Sequence, residues 1–415
     1  MATPRSETAA LTRLTLEEIG GAVGGVGKIH RAVTDRIFRG VRLGVGPKVD
    51  VVKAVYDGIT FGIYATVGAS ARAAGTLAGQ AVDLRGDDPR PPSRSSRGAI
   101  AIAMVSGLRG DVLEAERSAL AQPMAIRVDG APVPARRADL ARVFPDATGR
   151  FVVFLHGLME TEYAWRSAER PTYGERLAAD LGATPVYIRF NTGRHISHNG
   201  AALSGLLDDL VAEWPVEVEQ IALVGHSMGG LVARSACHQG KEAGRFWVRR
   251  VHHVVCLGSP HFGAPLAQLV HVASSVLAQV PETRPVSNLL RRRSAGIRDL
   301  RRGSLVDEDW TDRDADALRA QACREVPLLD GAMHCFVSAG IVASPSNPMG
   351  KLIGDGFVLT PSASGRTRTR RVGFREEDGA HLPSANHFTL LNHDQVYDHL
   401  RRWLASAPIS LNTFR

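Results

Sequence analysis

Cysteine is scarce in this chain: Cys237, Cys256, Cys323 and Cys335 are the only four in 415 residues, and none form a C-x-x-C pair. That argues against a disulfide framework, and a chain of this length has no need of staples, so buried reduced thiols are expected. A charged start followed by a long apolar core is missing from "MATPRSETAALTRLTLEEIGG", so no secretory leader is read there. Uninterrupted apolar runs of about 20 residues, the length that spans a bilayer, are also missing. The most apolar region, Val51 to Leu84, is broken by Asp57, Arg72 and repeated glycines, and its small-residue spacing suits helix packing instead. No HExxH or similar ligand spacing orders the histidines, so neither a metal nor an organic cofactor is expected. The expectation is a cytoplasmic protein with no transmembrane segment.

What is present is a composition of 44% hydrophobic and 22% charged residues, which suits a folded globular chain. The net charge of +8 invites a nucleic-acid or membrane-surface reading. Almost all of the basic charge is arginine, as in the products of GC-rich genomes, and no zinc-finger spacing or basic heptad region accompanies it. Nucleic acid is therefore not an expected partner.

Three zones divide the sequence. Residues 1–120 form a helical N-terminal extension of unassigned role, with a break at "RGDDPRPPSRSSRG" where prolines, serines and charges cluster. From 121 to 410 the pattern changes. Asp129-Gly130 between short β-rich runs predicts a tight hairpin. The runs "FVVFL" (151–155), "TPVYIRF" (184–190), "IALV" (221–224), "VHHVVCL" (251–257) and "HCFVSA" (334–339) then read as strands buried on both faces. Helical stripes lie between them, such as Leu203, Leu206, Leu207, Leu210, Val211 and Trp214. This alternation predicts an α/β fold with a mostly parallel, doubly wound sheet and helices on both faces. The rhythm breaks at about 264–330, a long insertion with helical patches that is expected to act as a cap or lid.

Within that frame "IALVGHSMGGLV" places Ser227 where a strand ends and a helix begins, with Gly225 and Gly229 two residues to either side. A sharp strand-to-helix turn strains its central residue and excludes side chains at those neighbours, so the pattern reads as a nucleophile elbow. A serine hydroxyl needs a base, expected after the last strand and before the final helix. His387 in "SANHFTLLNHDQVYDHLRRWL" fits, ahead of the helical stripe Val396, Tyr397, Leu400, Trp403 and Leu404. His393 in the first turn of that helix and His381 earlier on the loop are the other candidates, and His399 reads as an exposed helical residue. Asp355 in "KLIGDGFVL" is the expected acid, with Asp378 the alternative. An oxyanion site would use the amides of Met228 and of Leu158, in the loop after "FVVFL". His156 at the head of that loop either orders it or lines the pocket.

With these residues in place, the chain resembles the α/β-hydrolase fold esterases and lipases, in particular bacterial lipase-like proteins related to the GPI inositol-deacylase-like group. The resemblance rests on "FLHGL", "GHSMGGLVARSA", "LGSPHFGAPL", "GDGFV" and "NHFTLLNHDQVYDHL", in order over residues 151–405. It implies that His261 and Gly263 shape the pocket beside the elbow, unless His261 is purely structural. It also implies that Arg194 and His195 in "RFNTGRHISHNG" line an acyl pocket or bind a head group; Asn199 is equally placed to cap a helix starting at Ala201.

The implied activity is cleavage of carboxylic esters, lipid-like or of medium chain, through an acyl-serine. An acyltransferase on the same residues, or a non-catalytic binding protein on the same fold, are the rivals. Arg291, Arg292, Arg293, Arg298, Arg301 and Arg302 in the insertion either contact an anionic membrane surface or form a solvated basic face.

Overall fold

The computed structural model describes residues 91–166, 170–264, 293–313, 323–343 and 353–406, together with Glu7 and Ala10. Most of the expected N-terminal extension, the apolar region from Val51 to Leu84, and much of the expected lid lie outside the described residues.

An eight-stranded sheet organises the described chain: β1 (Ala125–Val128), β2 (Ala131–Val133), β3 (Arg150–Leu155), β4 (Thr184–Arg189), β5 (Gln220–His226), β6 (Val251–Leu257), β7 (Met333–Gly340) and β8 (Gly379–Pro383). Their order across the sheet is β2-β1-β4-β3-β5-β6-β7-β8. From β4 to β8 every pairing is parallel, and the β1–β2 hairpin joins antiparallel at one edge. Asp129 and Gly130, with φ of 46° and 77°, make the hairpin turn that the Asp-Gly pair predicts. The order reverses around β3, which lies between β4 and β5, so a crevice opens at the carboxyl ends of those strands.

Alternation along each strand feeds two cores. Phe151, Val153, Leu155, Ile221, Leu223, Val254 and Cys256 face one side, against α4 (Ile196–Glu213) and α5 (Met228–Glu242). Val152, Phe154, Val224, Val255 and Leu257 face the other, against α3 (Tyr173–Leu181) and the terminal helix α8 (Asp394–Leu404). The α8 stripe Val396, Tyr397, Leu400, Trp403 and Leu404 is buried as its spacing requires. Two further helices, α1 (Ser96–Ala115) and α2 (Arg137–Val143), precede β3, and two short ones, α6 (Ala295–Leu300) and α7 (Thr360–Ala363), lie after β6.

One helix start differs from expectation. Asn199 does not cap a helix at Ala201, because α4 already begins at Ile196. The Ile196 amide donates to Asp299 Oδ2 at 2.8 Å, so the cap comes from a side chain far along the sequence. Asn199 instead lies inside the helix and donates to the Asn191 carbonyl at 2.9 Å.

Asp299 belongs to α6, the described part of the insertion. Ser294 donates to the Gly107 carbonyl at 2.6 Å and the Ala295 amide to Asp111 Oδ2 at 2.9 Å, so α6 docks on α1. Leu300, Leu305 and Val306 are buried in the first core. Of the arginines expected to form a surface, Arg298 is exposed but Arg301 is buried, which takes Arg301 out of any lipid-facing set. Among the described residues no helix is long and apolar enough to cross a membrane.

Candidate active site

Ser227 stands between the last residue of β5, His226, and the first of α5, Met228, with φ 52° and ψ −119°. A non-glycine residue in such a region costs about 1–3 kcal/mol and persists only where its surroundings dictate it. Here they do. The Ser227 amide donates to the Leu257 carbonyl at 2.8 Å, pinning the turn to β6. A Cβ on Gly225 would lie 2.3 Å from the Gly230 nitrogen, and one on Gly229 would lie 2.3 Å from the Leu155 carbonyl oxygen. Only glycine lets the elbow fold back on itself and pack against the end of β3.

Asp355 and His387 arrive from the loops after β7 and β8. The Asp355 carboxylate is buried; its Oδ1 accepts the amides of Phe357 and Val358 at 3.0 and 2.8 Å, and Oδ2 lies 2.7 Å from His387 Nδ1. The His387 amide also donates to the Asp355 carbonyl at 3.0 Å, so both backbone and side chain fix the pair. An ionised carboxylate only accepts, so Nδ1 carries the proton and Nε2 is left for a reacting group. Burial works to lower the pKa of His387, but the charge and hydrogen bond of Asp355, with the charge of Glu160, outweigh it and hold the imidazole above the usual histidine value.

Glu160 was not expected at the site. Its Oε2 accepts the Gly157 amide at 2.6 Å and lies 3.0 Å from His226 Nδ1, while His226 Nε2 lies 3.2 Å from the His387 carbonyl. Both ring nitrogens of His226 face acceptors, so the ring is doubly protonated or Glu160 holds the proton. Burial pushes the Glu160 pKa up. The charge and hydrogen bond of His226, the Gly157 amide and the charge of His387 more than offset this, holding it below the ordinary carboxylate value. The Gly157 α-carbon faces both groups: a Cβ there would lie 2.9 Å from Glu160 Oε2 and 3.0 Å from Ser227 Cβ. An acid three residues after a loop glycine has no periodic signature, and its reach back to the Gly157 amide is visible only in the fold.

Met228 is fully buried, and as the first helical residue its amide has no carbonyl four residues back within α5. Leu158 is half-buried on the loop that holds Gly157 against the elbow. Each of the expected pocket residues has partners of its own. His156 is fully buried, stacked on Phe190 at 4.3 Å, with Nδ1 2.9 Å from the Gly157 carbonyl and Nε2 3.2 Å from the Phe190 amide. Burial lowers its pKa to about 4, and with both nitrogens engaged the ring orders its loop. Arg194 pairs with Glu114 of α1 at 2.7 Å. His195 lies 3.1 Å from Asp299 and stacks on Trp310 at 3.8 Å, joining α4 to the insertion. His261 packs beside Arg234, with Nδ1 3.2 Å from the guanidinium.

The alternatives for base and acid are also engaged elsewhere. Asp378 pairs with Arg375 at 2.6 Å and His381 Nδ1 lies 3.0 Å from Ser338 Oγ. His399, expected to be exposed, is half-buried, with Nδ1 2.7 Å from Arg402. His393 is the N-cap of α8, accepting the Gln395 amide at 3.3 Å, rather than a first-turn residue. Among the described residues no group of three or more His, Cys, Asp or Glu is placed to hold a metal ion.

Residues 146–320 match the family model described as PGAP1-like alpha/beta domain. No curated protein matches the chain. Solved structures similar to it include a Bacillus licheniformis lipase in its mature form, 18% identical over 68% of this chain and 99% of that one, with a TM-score of 0.40. A Pyrobaculum calidifontis esterase is 14% identical over 62% of this chain and 75% of that one, with a TM-score of 0.36. The match to that domain model covers residues 146–320, and the described chain has the α/β-hydrolase fold.

Proposed function

We propose that the protein is a serine hydrolase that cleaves carboxylic esters of lipid-like or medium-chain acids, with Ser227 as nucleophile, His387 as base and Asp355 as its orienting acid. The observation that carries the reading is the buried His387–Asp355 pair, 2.7 Å apart, brought to the same strand ends as a strained Ser227.

In this mechanism His387 Nε2 takes the Ser227 proton as Oγ attacks the ester carbonyl. Asp355 holds the tautomer and stabilises the imidazolium that forms. The amides of Met228 and Leu158 receive the oxyanion, helped by the N-terminus of α5. His387 then protonates the leaving alcohol, the acyl-serine forms, and water activated by the same imidazole releases the acid.

Labelling with a fluorophosphonate probe tests the assignment. Wild type should label, while Ser227→Ala and His387→Ala should lose turnover of a simple ester by about 10⁴- to 10⁶-fold, as members of one catalytic unit do. A folded wild type that neither labels nor turns over esters would replace this reading with a binding protein on the same fold. Product analysis with a competing alcohol separates hydrolysis from acyl transfer, and an ester panel of rising chain length sets the acyl preference.

A further inference from the structure

The Leu158 amide belongs to a four-residue turn, Gly157 to Glu160, and Glu160 closes that turn twice. Its amide donates to the Gly157 carbonyl at 3.2 Å, and its Oε2 accepts the Gly157 amide at 2.6 Å. Leu158 and Met159 are the central residues, and of the two only Met159 has a positive φ, 61°, which is the pattern of a type II turn. A non-glycine residue stays in that conformation only where its surroundings dictate it. The Met159 amide donates to Thr192 Oγ1 at 3.2 Å, in the loop after β4. Its side chain packs over Gly107 of α1, where an added Cβ would lie 2.3 Å from Met159 Cγ. The turn is thus held from outside at its third residue and from within by its fourth.

His226 links this turn to the rest of the site. It is fully buried and, as the last residue of β5, adjoins Ser227. Its Nδ1 lies 3.0 Å from Glu160 Oε2, and its Nε2 donates to the His387 carbonyl at 3.2 Å, since a carbonyl only accepts. The ring centroid lies 4.6 Å from that of His387 and 6.4 Å from that of Trp165, so the imidazole is packed as well as bonded. A polar side chain buried at a strand end is costly unless its atoms are met, and an apolar one would fill the space without that demand. Both partners that meet His226 lie on loops of the proposed site, one carrying the oxyanion donor and the other the base.

We propose that Glu160 and His226 are positioning residues, which hold the oxyanion turn at Gly157–Glu160 in register with the base loop at His387, with Ser227 between them. The inference rests on the ester-cleaving reading and concerns placement alone, since neither side chain is given a proton to transfer. Misplacing a reacting group by about 1 Å costs on the order of 10²-fold in rate. Because the oxyanion forms only in the transition state, the loss should fall on kcat and leave KM nearly unchanged.

Turnover of a p-nitrophenyl ester by the full chain tests this, measured on the pH plateau and normalised to sites counted by fluorophosphonate labelling run to completion. Glu160→Ala and His226→Asn should each lose about 10²-fold in kcat per labelled site, with KM within about threefold of wild type. Glu160→Gln keeps an acceptor for the Gly157 amide. His226→Gln keeps a donor that reaches as far as Nε2, whereas Asn reaches only as far as Nδ1. Both Gln variants should therefore stay within about tenfold of wild type. If Glu160→Ala fails to fold, the contrast between Asn and Gln at position 226 decides. The proposal is overturned if Glu160→Ala and His226→Asn turn over as wild type does, if KM moves in place of kcat, or if His226→Gln falls as far as His226→Asn. In each of these cases a wild type that labels and turns over leaves the ester-cleaving reading standing; a folded wild type that does neither removes both.

Discussion

Glu160 and His387 are coupled through space, and the coupling has a sign. His387 acts as base only when neutral, so activity should rise as pH climbs through a pKa held above the ordinary histidine value. Glu160 contributes to that elevation, although Asp355 contributes more. Glu160→Gln removes an anion and keeps the shape, so the acid limb of kcat/KM for a p-nitrophenyl ester should move to lower pH. A limb that stays where it is would show that the carboxylate does not act on the imidazole. The turn at Ser227 and the loops that bring Asp355 to His387 were legible in the sequence because glycine spacing and chain order mark them. Glu160 was not, because only the fold brings its carboxylate to His226, and no local pattern records that contact.

At the scale of the element, two glycines have opposite surroundings. Gly225 is the penultimate residue of β5, under the elbow, where a methyl group would strike the Gly230 backbone at 2.3 Å, and backbone cannot yield as a side-chain tip can. Gly205 lies mid-helix in α4, and nothing stands within 4 Å of where its Cβ would be. Gly205→Ala should therefore stabilise the protein by about 0.5–1 kcal/mol, by removing backbone freedom from the unfolded chain. Gly225→Ala should destabilise it by about 1–3 kcal/mol and abolish probe labelling, as overpacking distorts the turn. Urea denaturation of both variants checks the contrast, and equal effects would refute the account of the elbow. Strands β3 to β7 were legible because short, β-rich apolar runs stand between turn residues, whereas β8 (Gly379–Pro383) has no such run. The start of α4 was not, since its cap is Asp299 from another element.

Across the whole molecule, one buried arginine ties the segment before β1 to the sheet. Arg189, at the end of β4, forms a two-pronged pair with Glu162 and donates through Nη1 to the Ser93 carbonyl at 2.7 Å and to Gln122 Oε1 at 3.3 Å. Gln122 in turn binds Glu7 and Arg127. The proline- and serine-rich stretch that contains Ser93 is plain in the sequence, but its attachment to the sheet is not, because Ser93 and Arg189 meet across 96 positions. A buried ion pair has a property that separates attachment from simple contact. Removing one partner strands the other charge without solvent, whereas removing both charges leaves nothing stranded. Arg189→Met alone should therefore cost about 3–5 kcal/mol in urea denaturation. Arg189→Met with Glu162→Gln should recover part of that loss, although the Ser93 carbonyl still loses its donor. A double variant no more stable than the single one would mean that the pair stabilises the protein through its links to Ser93 and Gln122, not through charge compensation.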